Sequence, residues 1–255
     1  MQVFAKTDIG KARDNNQDFY YISNSGDVPE VYILADGMGG YNGGEIASKM
    51  AAESASNYIK SNFQKMLETI NERKQKEDNK NIEKDEILKL VKSGIQYANM
   101  VVYEEAKKNP ELEGMGTTLE VCLIYNNKLY IGHIGDSRIY RLRGEFFRKL
   151  THDHSYVQKL VKDGTITQEE ANHHPKKNML MKALGCTAFV EPDITVKGFV
   201  KDDIVLICSD GLTNMVEEPE IYNILKNEGT LAAEKLVEKA NENGGYDNIT
   251  AIVIR

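Results

Sequence analysis

Cysteine is scarce in this 255-residue chain, which has only Cys122, Cys186 and Cys208. They are odd in number and far apart, and two lie within apolar runs. They read as small buried hydrophobes in a reducing compartment, not as a disulfide framework or a metal set. Long hydrophobic stretches are missing too. No run approaches the roughly 18 apolar residues of a membrane-spanning helix, and the opening MQVFAKTDIG has no signal-peptide core. These absences predict a soluble, cytoplasmic protein without a membrane segment. Basic clusters are also wanting, and the net charge is -7. That excludes nonspecific nucleic-acid binding and leaves any attraction for phosphate to a local metal or arginine. Neither GxxxxGK[ST] nor GxGxxG occurs, which argues against a nucleotide cradle, and no HExxH or paired cysteines suggest zinc.

What is present is a set of short apolar runs that end in aspartate. A hydrophobic content of 41% over this length suffices for one sizeable core and one α/β or sandwich domain. The stretch 31–44, VYILADGMGGYNGG, delivers Asp36 into a glycine-rich loop, and 204–211, IVLICSDG, delivers Asp210 in the same way. Asp136 follows a glycine in Gly135-Asp136-Ser137-Arg138, and Asp247 precedes the final apolar run. A single Asp-Gly is usually a turn. Four aspartates at strand ends, with Gly37, Gly135, Gly211 and Gly245 nearby, point instead to one shared site. Carboxylates gathered at low dielectric repel one another, so the arrangement makes sense around a hard cation such as Mg²⁺ or Mn²⁺. Arg13 and Asp18, just before a strand, either reach that site or form a solvated turn with a surface ion pair.

Periodicity supplies the remaining elements. Strands are expected over 2–7, 19–22, 195–199, 203–208 and 249–254, and helices over 45–67, 87–108, 219–227 and 231–242. The two long helices read as an antiparallel pair on a sheet, separated by a solvated stretch over 71–86. Segments 117–125, 128–134, 138–143 and 145–150 read as a four-stranded antiparallel meander, with turns at Asn126-Asn127 and Arg143-Gly144. Residues 151–184 are irregular, with short helices over 155–163 and 168–172, and read as a lid beside a site.

Six ordered motifs carry a family resemblance almost end to end: GKARDNNQD at 10–18, LADGMGG at 34–40, GTT at 116–118, HIGDSRIYR at 133–141, SDGL at 209–212 and GGYDNIT at 244–250. The chain resembles the metal-dependent protein phosphatases of the 2C type, and in particular their compact bacterial Ser/Thr phosphatases. The resemblance implies an α+β fold: a four-layer αββα sandwich of two mainly antiparallel β-sheets flanked by helix pairs. It further implies one catalytic domain over 1–255, with residues 151–184 as a flap, and hydrolysis of phosphoserine and phosphothreonine in proteins by a metal-activated water. Asp36 would bridge two Mn²⁺ or Mg²⁺ ions, with the Gly37 carbonyl on one and Asp210 and Asp247 on the other. Asp136 would join Asp210 at a third, weaker ion. Arg13 would grip the substrate phosphate, and Asp18 would hold water on the metals. The implied partners are phosphoproteins and a cognate Ser/Thr kinase, and the expected state is a monomer.

Two positions depart from the eukaryotic pattern. Met38 stands where those relatives carry a histidine proposed as general acid, and Gln17 stands where they carry glutamate. The proton donor to the leaving group is therefore unassigned. His133, His152, His154, His173 and His174 are candidates by residue type alone; the first reads as core and the others as solvated flap positions. A different class of function, a catalytically weak module that binds a partner through the flap, is opposed by the intact set Arg13, Asp36, Asp136, Asp210 and Asp247.

Overall fold

In β3 (Glu30–Met38), Val31, Ile33 and Ala35 point one way and Tyr32 and Leu34 the other, and all five are buried. The same holds for β11 (Ile249–Ile254), where Ile249, Ala251 and Val253 oppose Ile252 and Ile254. A strand covered on both faces reads as a continuous apolar run, which is why these segments show no polar alternation. The computed structural model describes residues 1–39, 43–74 and 81–255. It places the two faces of these strands in three stacked apolar layers: helix on sheet, sheet on sheet, and sheet on helix.

One sheet runs β1 (Val3–Asp8), β11, β10 (Ile204–Cys208), β7 (Arg138–Arg143), β8 (Phe146–Lys149). The other runs β2 (Asp18–Ile22), β3, β5 (Leu119–Tyr125), β6 (Lys128–Ile134), β9 (Asp193–Gly198), with the two-residue β4 (Gly116–Thr117) beside β3. Every pairing is antiparallel. Helices α1 (Gly43–Lys74) and α2 (Ile82–Lys108) cover the second sheet. Small residues on α1 (Ala47, Ala51, Ala55) and Gly94 on α2 allow close approach, and Gly94 packs on Ile59 and Ala55. The outer face of the first sheet is covered by α6 (Glu218–Asn227) and α7 (Ala232–Glu242) through Ile221, Leu225, Leu236 and Ala240. The αββα sandwich implied by the family resemblance is therefore the observed architecture.

The long helices do form an antiparallel pair: Arg73 near the end of α1 meets Glu86 near the start of α2 at 2.6 Å. Both extend into the stretch expected to be solvated loop, where the last turn of α1 gains ion pairs with the start of α2, Arg73–Glu86 and Lys74–Glu83. Residues 75–80 of that stretch, and residues 40–42 of the glycine-rich loop, lie outside the described residues.

The expected four-stranded meander is corrected. β5 and β6 form a hairpin through Asn126 and Asn127, both at positive φ, but β7 and β8 belong to the other sheet. The chain changes sheets at Gly135–Ser137, where Gly135 has φ +115, a value that ends the strand and that side chains rarely adopt. Alternation tells which way a side chain faces, not which sheet receives it. The consequence is functional, since Asp136 sits on this crossing. Segment 151–184 holds α3 (Tyr156–Lys162), capped by Ser155, and α4 (Gln168–Asn172), which opens on a capping box between Thr167 and Glu170. The bridge Thr117–Leu184 ties its end to the sandwich, and Ser155–Leu180 closes the segment on itself. Among the described residues, no helix is long and apolar enough to cross a membrane.

Candidate active site

Asp18 and Asp36 are direct partners across the β2–β3 ladder. Asp18 is buried. Its Oδ2 accepts from Ser209 Oγ at 2.8 Å and Thr250 Oγ1 at 2.6 Å, both contributed by the opposite sheet and its connections. Its Oδ1 is buried and has no partner among the described residues. Thr117 and Thr118 fix the backbone at Asp36: Asp36 N donates to Thr118 Oγ1 at 3.0 Å, and its carbonyl accepts from Thr118 N and Thr117 Oγ1, each at 2.9 Å. Gly37 donates its N–H to the Gln17 carbonyl at 3.0 Å, and a Cβ there would strike the backbone of Gly44. Glycine is required because backbone from three segments converges at this point.

The other strand ends bring in the remaining carboxylates. Asp210 opens the short helix α5 (Asp210–Thr213) and accepts from Asn214 Nδ2 at 3.0 Å. Asp247 accepts from Arg13 Nη2 at 2.8 Å. Its neighbour Asn248 tethers the loop that carries Arg13: Nδ2 donates to the carbonyls of Ile9 and Asn15, and Oδ1 accepts from Gln17 N. Arg13 therefore does reach the site, with half its side chain exposed, and it pairs there with Asp247.

Among the described residues, Asp247 has an ion pair with Arg13 but Asp18, Asp36, Asp136 and Asp210 have none. Part of Asp36, Asp136 and Asp210 reaches the surface, but protein atoms surround the rest, and burial is the largest cause of their raised proton affinities. Asp136 is pushed up to about 8 by burial and then by Asp210 and Asp153. Burial and Asp247 push Asp210 up to about 6. Asp36 is raised well above the carboxylate range by burial and by Asp18, Asp210, Asp136 and Asp247. Burial lifts Asp18 to about 7 against its two hydroxyl bonds. Arg13 is held up by its hydrogen bond to Asp247.

Oxygen-only donors that repel one another, together with the orphaned Asp18 oxygen, fit hard divalent cations. Among the described residues, no group of three or more acidic, histidine or cysteine side chains stands arranged to hold one ion. A cavity of about 910 Å³ opens beside this cleft, between segment 151–184 and α5–α6. Asp136, Asp210, Arg138, Lys177, Asn214 and Glu217 are among the residues that line it.

The structure brings Arg13, Asp18, Asp36, Asp136, Asp210 and Asp247 to one cleft, and it adds the groups that orient them: Thr118, Ser209, Asn248 and Thr250. Each lies inside a quoted motif, but its hydroxyl or amide partner is distant in the chain. One histidine reading is corrected. His154 is not a solvated flap position but is 10% exposed, because its ring packs on buried His133. Among the described residues, none of the five histidines hydrogen-bonds to Asp18, Asp36, Asp136, Asp210 or Asp247.

Comparison with known proteins agrees with this geometry. The protein phosphatase 2C family model matches residues 10–239. The serine/threonine phosphatase stp of Listeria innocua is 38% identical over 256 residues, covering 100% of this chain and 95% of the relative. The protein phosphatase PhpP of Streptococcus pneumoniae is 39% identical over 258 residues, covering 100% and 97%. Among solved structures, the Mycobacterium tuberculosis serine/threonine phosphatase PstP/Ppp superposes with a TM-score of 0.83 at 33% identity, covering 99% of this chain and 97% of that one. The catalytic domain of PstP in complex with two manganese ions gives 0.80 at 33% identity, covering 99% and 96%. With the fold, the strand-end aspartates and these full-length similarities in agreement, the chain belongs to the protein phosphatase 2C family.

Proposed function

We propose that this phosphatase hydrolyses phosphoserine and phosphothreonine in proteins, with two Mn²⁺ or Mg²⁺ ions held by Asp36, the Gly37 carbonyl, Asp210 and Asp247. A third, weaker ion falls to Asp136 with Asp210. The observation that carries the reading is the cleft itself, where repelling aspartates from both sheets meet beside a half-exposed arginine. When bound, the ions supply an acidified water and offset charge on the phosphoryl oxygens.

The chain's own groups do the rest. Arg13 offers a planar fork to the phosphate, and its present partner, Asp247, keeps it over the cleft until substrate arrives. Asp18 has both hydroxyl bonds on Oδ2, so Oδ1 is the atom free to accept from the attacking water. Asn248 fixes Arg13 relative to Asp247 by tying the loop that carries it. Residues 1–255 act as one catalytic unit, with 151–184 as the flap over the cavity. The enzyme works as a cytoplasmic monomer opposite a Ser/Thr kinase.

The test is phosphate release from a phosphothreonine peptide with Mn²⁺, with EDTA, and after Asp36→Asn. The expected result is turnover only with Mn²⁺ and unmodified Asp36. Activity that survives chelation, or is unchanged in the variant, rejects the mechanism.

A further inference from the structure

Outside the aspartate cleft, a second cluster of titratable groups lies where segment 151–184 leaves the sandwich. Glu120 on β5 and His133 on β6 face each other across the ladder, fully buried, with His133 Nδ1 2.7 Å from Glu120 Oε1. His133 Nε2 donates to the His152 carbonyl at 2.8 Å, which fixes the ring. His154 stacks on it, with ring centroids 4.5 Å apart.

His154 holds Gly135 from both sides. The Gly135 N–H donates to His154 Nδ1 at 3.1 Å, and the His154 N–H donates to the Gly135 carbonyl at 2.7 Å. At the far side of the ring, Nε2 lies 3.2 Å from Asp193 Oδ2 and 3.5 Å from Lys182 Nζ, which stands 3.4 Å from the other oxygen of that carboxylate. An acceptor role at Nδ1 and a carboxylate at Nε2 specify the neutral ring with its proton on Nε2. Burial, His133 and Lys182 favour the same neutral form, lowering the ring to about 4.

Gly135 is the turning point at which the chain crosses between sheets. Thr118 Oγ1, which receives the Asp36 N–H, lies 2.9 Å from Ser137 Oγ, and the Thr118 side chain packs against Gly135.

We infer that His154 is a positioning residue for Asp136: its imidazole, stacked on His133 and oriented by Asp193, clamps the Gly135 peptide and so sets how Asp136 enters the cleft. The inference rests on the reading of Asp136 as a site residue. It gives the base of the flap a direct mechanical link to the carboxylates, with the Thr118–Ser137 contact completing the connection to Asp36.

The two amides distinguish the parts of the ring. Asparagine places an oxygen near the position of Nδ1 and can accept from Gly135, whereas glutamine reaches toward the position of Nε2 and cannot. With Mn²⁺ and a phosphothreonine peptide, His154→Asn should retain kcat within about twofold, while His154→Gln and His154→Ala lose about tenfold or more with KM nearly constant, the range expected when an orienting partner is removed. Amide exchange at Gly135 should stay slow in His154→Asn and become fast in His154→Gln. Full activity in His154→Gln, or an Asn variant as impaired as Ala, overturns the inference. Should a variant not fold, nitrogen NMR of the unmodified protein decides: a proton on Nδ1 of His154 refutes the clamp, and one on Nε2 supports it. Failure of the unmodified protein to release phosphate counts against the phosphatase reading, whereas ring tautomer and Gly135 exchange judge the clamp separately.

Discussion

Asp136 and Asp153 line the same cavity, yet they hold their protons in opposite ways. Asp153 is clasped by Arg138, with Nη2 at 2.7 Å from Oδ2 and Nε at 3.0 Å, and by Lys149 at 3.1 Å from Oδ1. Burial raises its proton affinity, but Arg138 and Lys149 more than offset this and hold its carboxyl below the usual range. Asp136 has nearly the same surroundings but faces Asp210, and it is pushed up to about 8. Burial is common to both, so the partner decides. Where the fold supplies its own cation the aspartate is structural, and where it supplies another carboxylate the charge is left for a ligand to balance.

The sharpest way to break that comparison is to neutralise one member of each set. Asp210→Asn should lower kcat on the order of 10³-fold, because it removes a proposed metal ligand and alters transition-state electrostatics. The same variant should melt higher than the parent protein in EDTA, since a repelling charge is gone. A lower melting temperature there would show that the cleft aspartates are structural after all. Asp153→Ala should do the reverse. Leaving Arg138 without its buried partner should cost about 3 kcal/mol in urea denaturation, with or without metal.

Next in size is the response to pH. Asp18, Asp136 and Asp210 have folded values raised to about 7, 8 and 6, so the folded chain binds more protons than the unfolded one above the ordinary carboxylate range. Their contribution to stability is present below about pH 4 and is lost as pH rises through about 8. The metal-free protein should therefore lose about 2 kcal/mol or more between pH 5 and 8.5, and saturating Mn²⁺ should flatten the slope. A chelated protein that grows more stable over that range would contradict the assignment. The smallest effect is expected at the exposed end of the cleft. Arg13→Ala should raise KM about tenfold, the scale of one charge-assisted hydrogen bond, and leave the melting temperature unchanged. A change confined to kcat would assign Arg13 to the chemical step.

Much of this was legible in the chain. The 249–254 strand was marked by the apolar run after Asp247, interrupted only by Thr250, and α4 by the short helical stretch over 168–172. The aspartates could be read because each ends an apolar run beside a glycine. The sheet change at Gly135 could not be read, since a positive φ leaves no periodic trace and β7 alternates as it would in either sheet. The hydroxyls on Asp18 escaped for a related reason: Ser209 and Thr250 lie 191 and 232 residues away in sequence, and only the packing of two sheets joins them. His154 escaped because its neighbours, Asp153 and Ser155, are polar, while its ring is buried by His133 from another strand.

The position of β11 between β1 and β10 has a consequence for timing. Arg13 and Asp18 are made early, yet their partners Asp247 and Thr250, and Asn248 that tethers the loop between them, flank or begin this strand. A chain made from its N-terminus can raise its helices and most of both sheets first. Until β11 inserts beside β1, the loop of Arg13 lacks its Asn248 tether and Asp18 lacks the Thr250 hydroxyl. The strand that completes this sheet therefore also completes the cleft, and folding and catalytic competence are reached in one step.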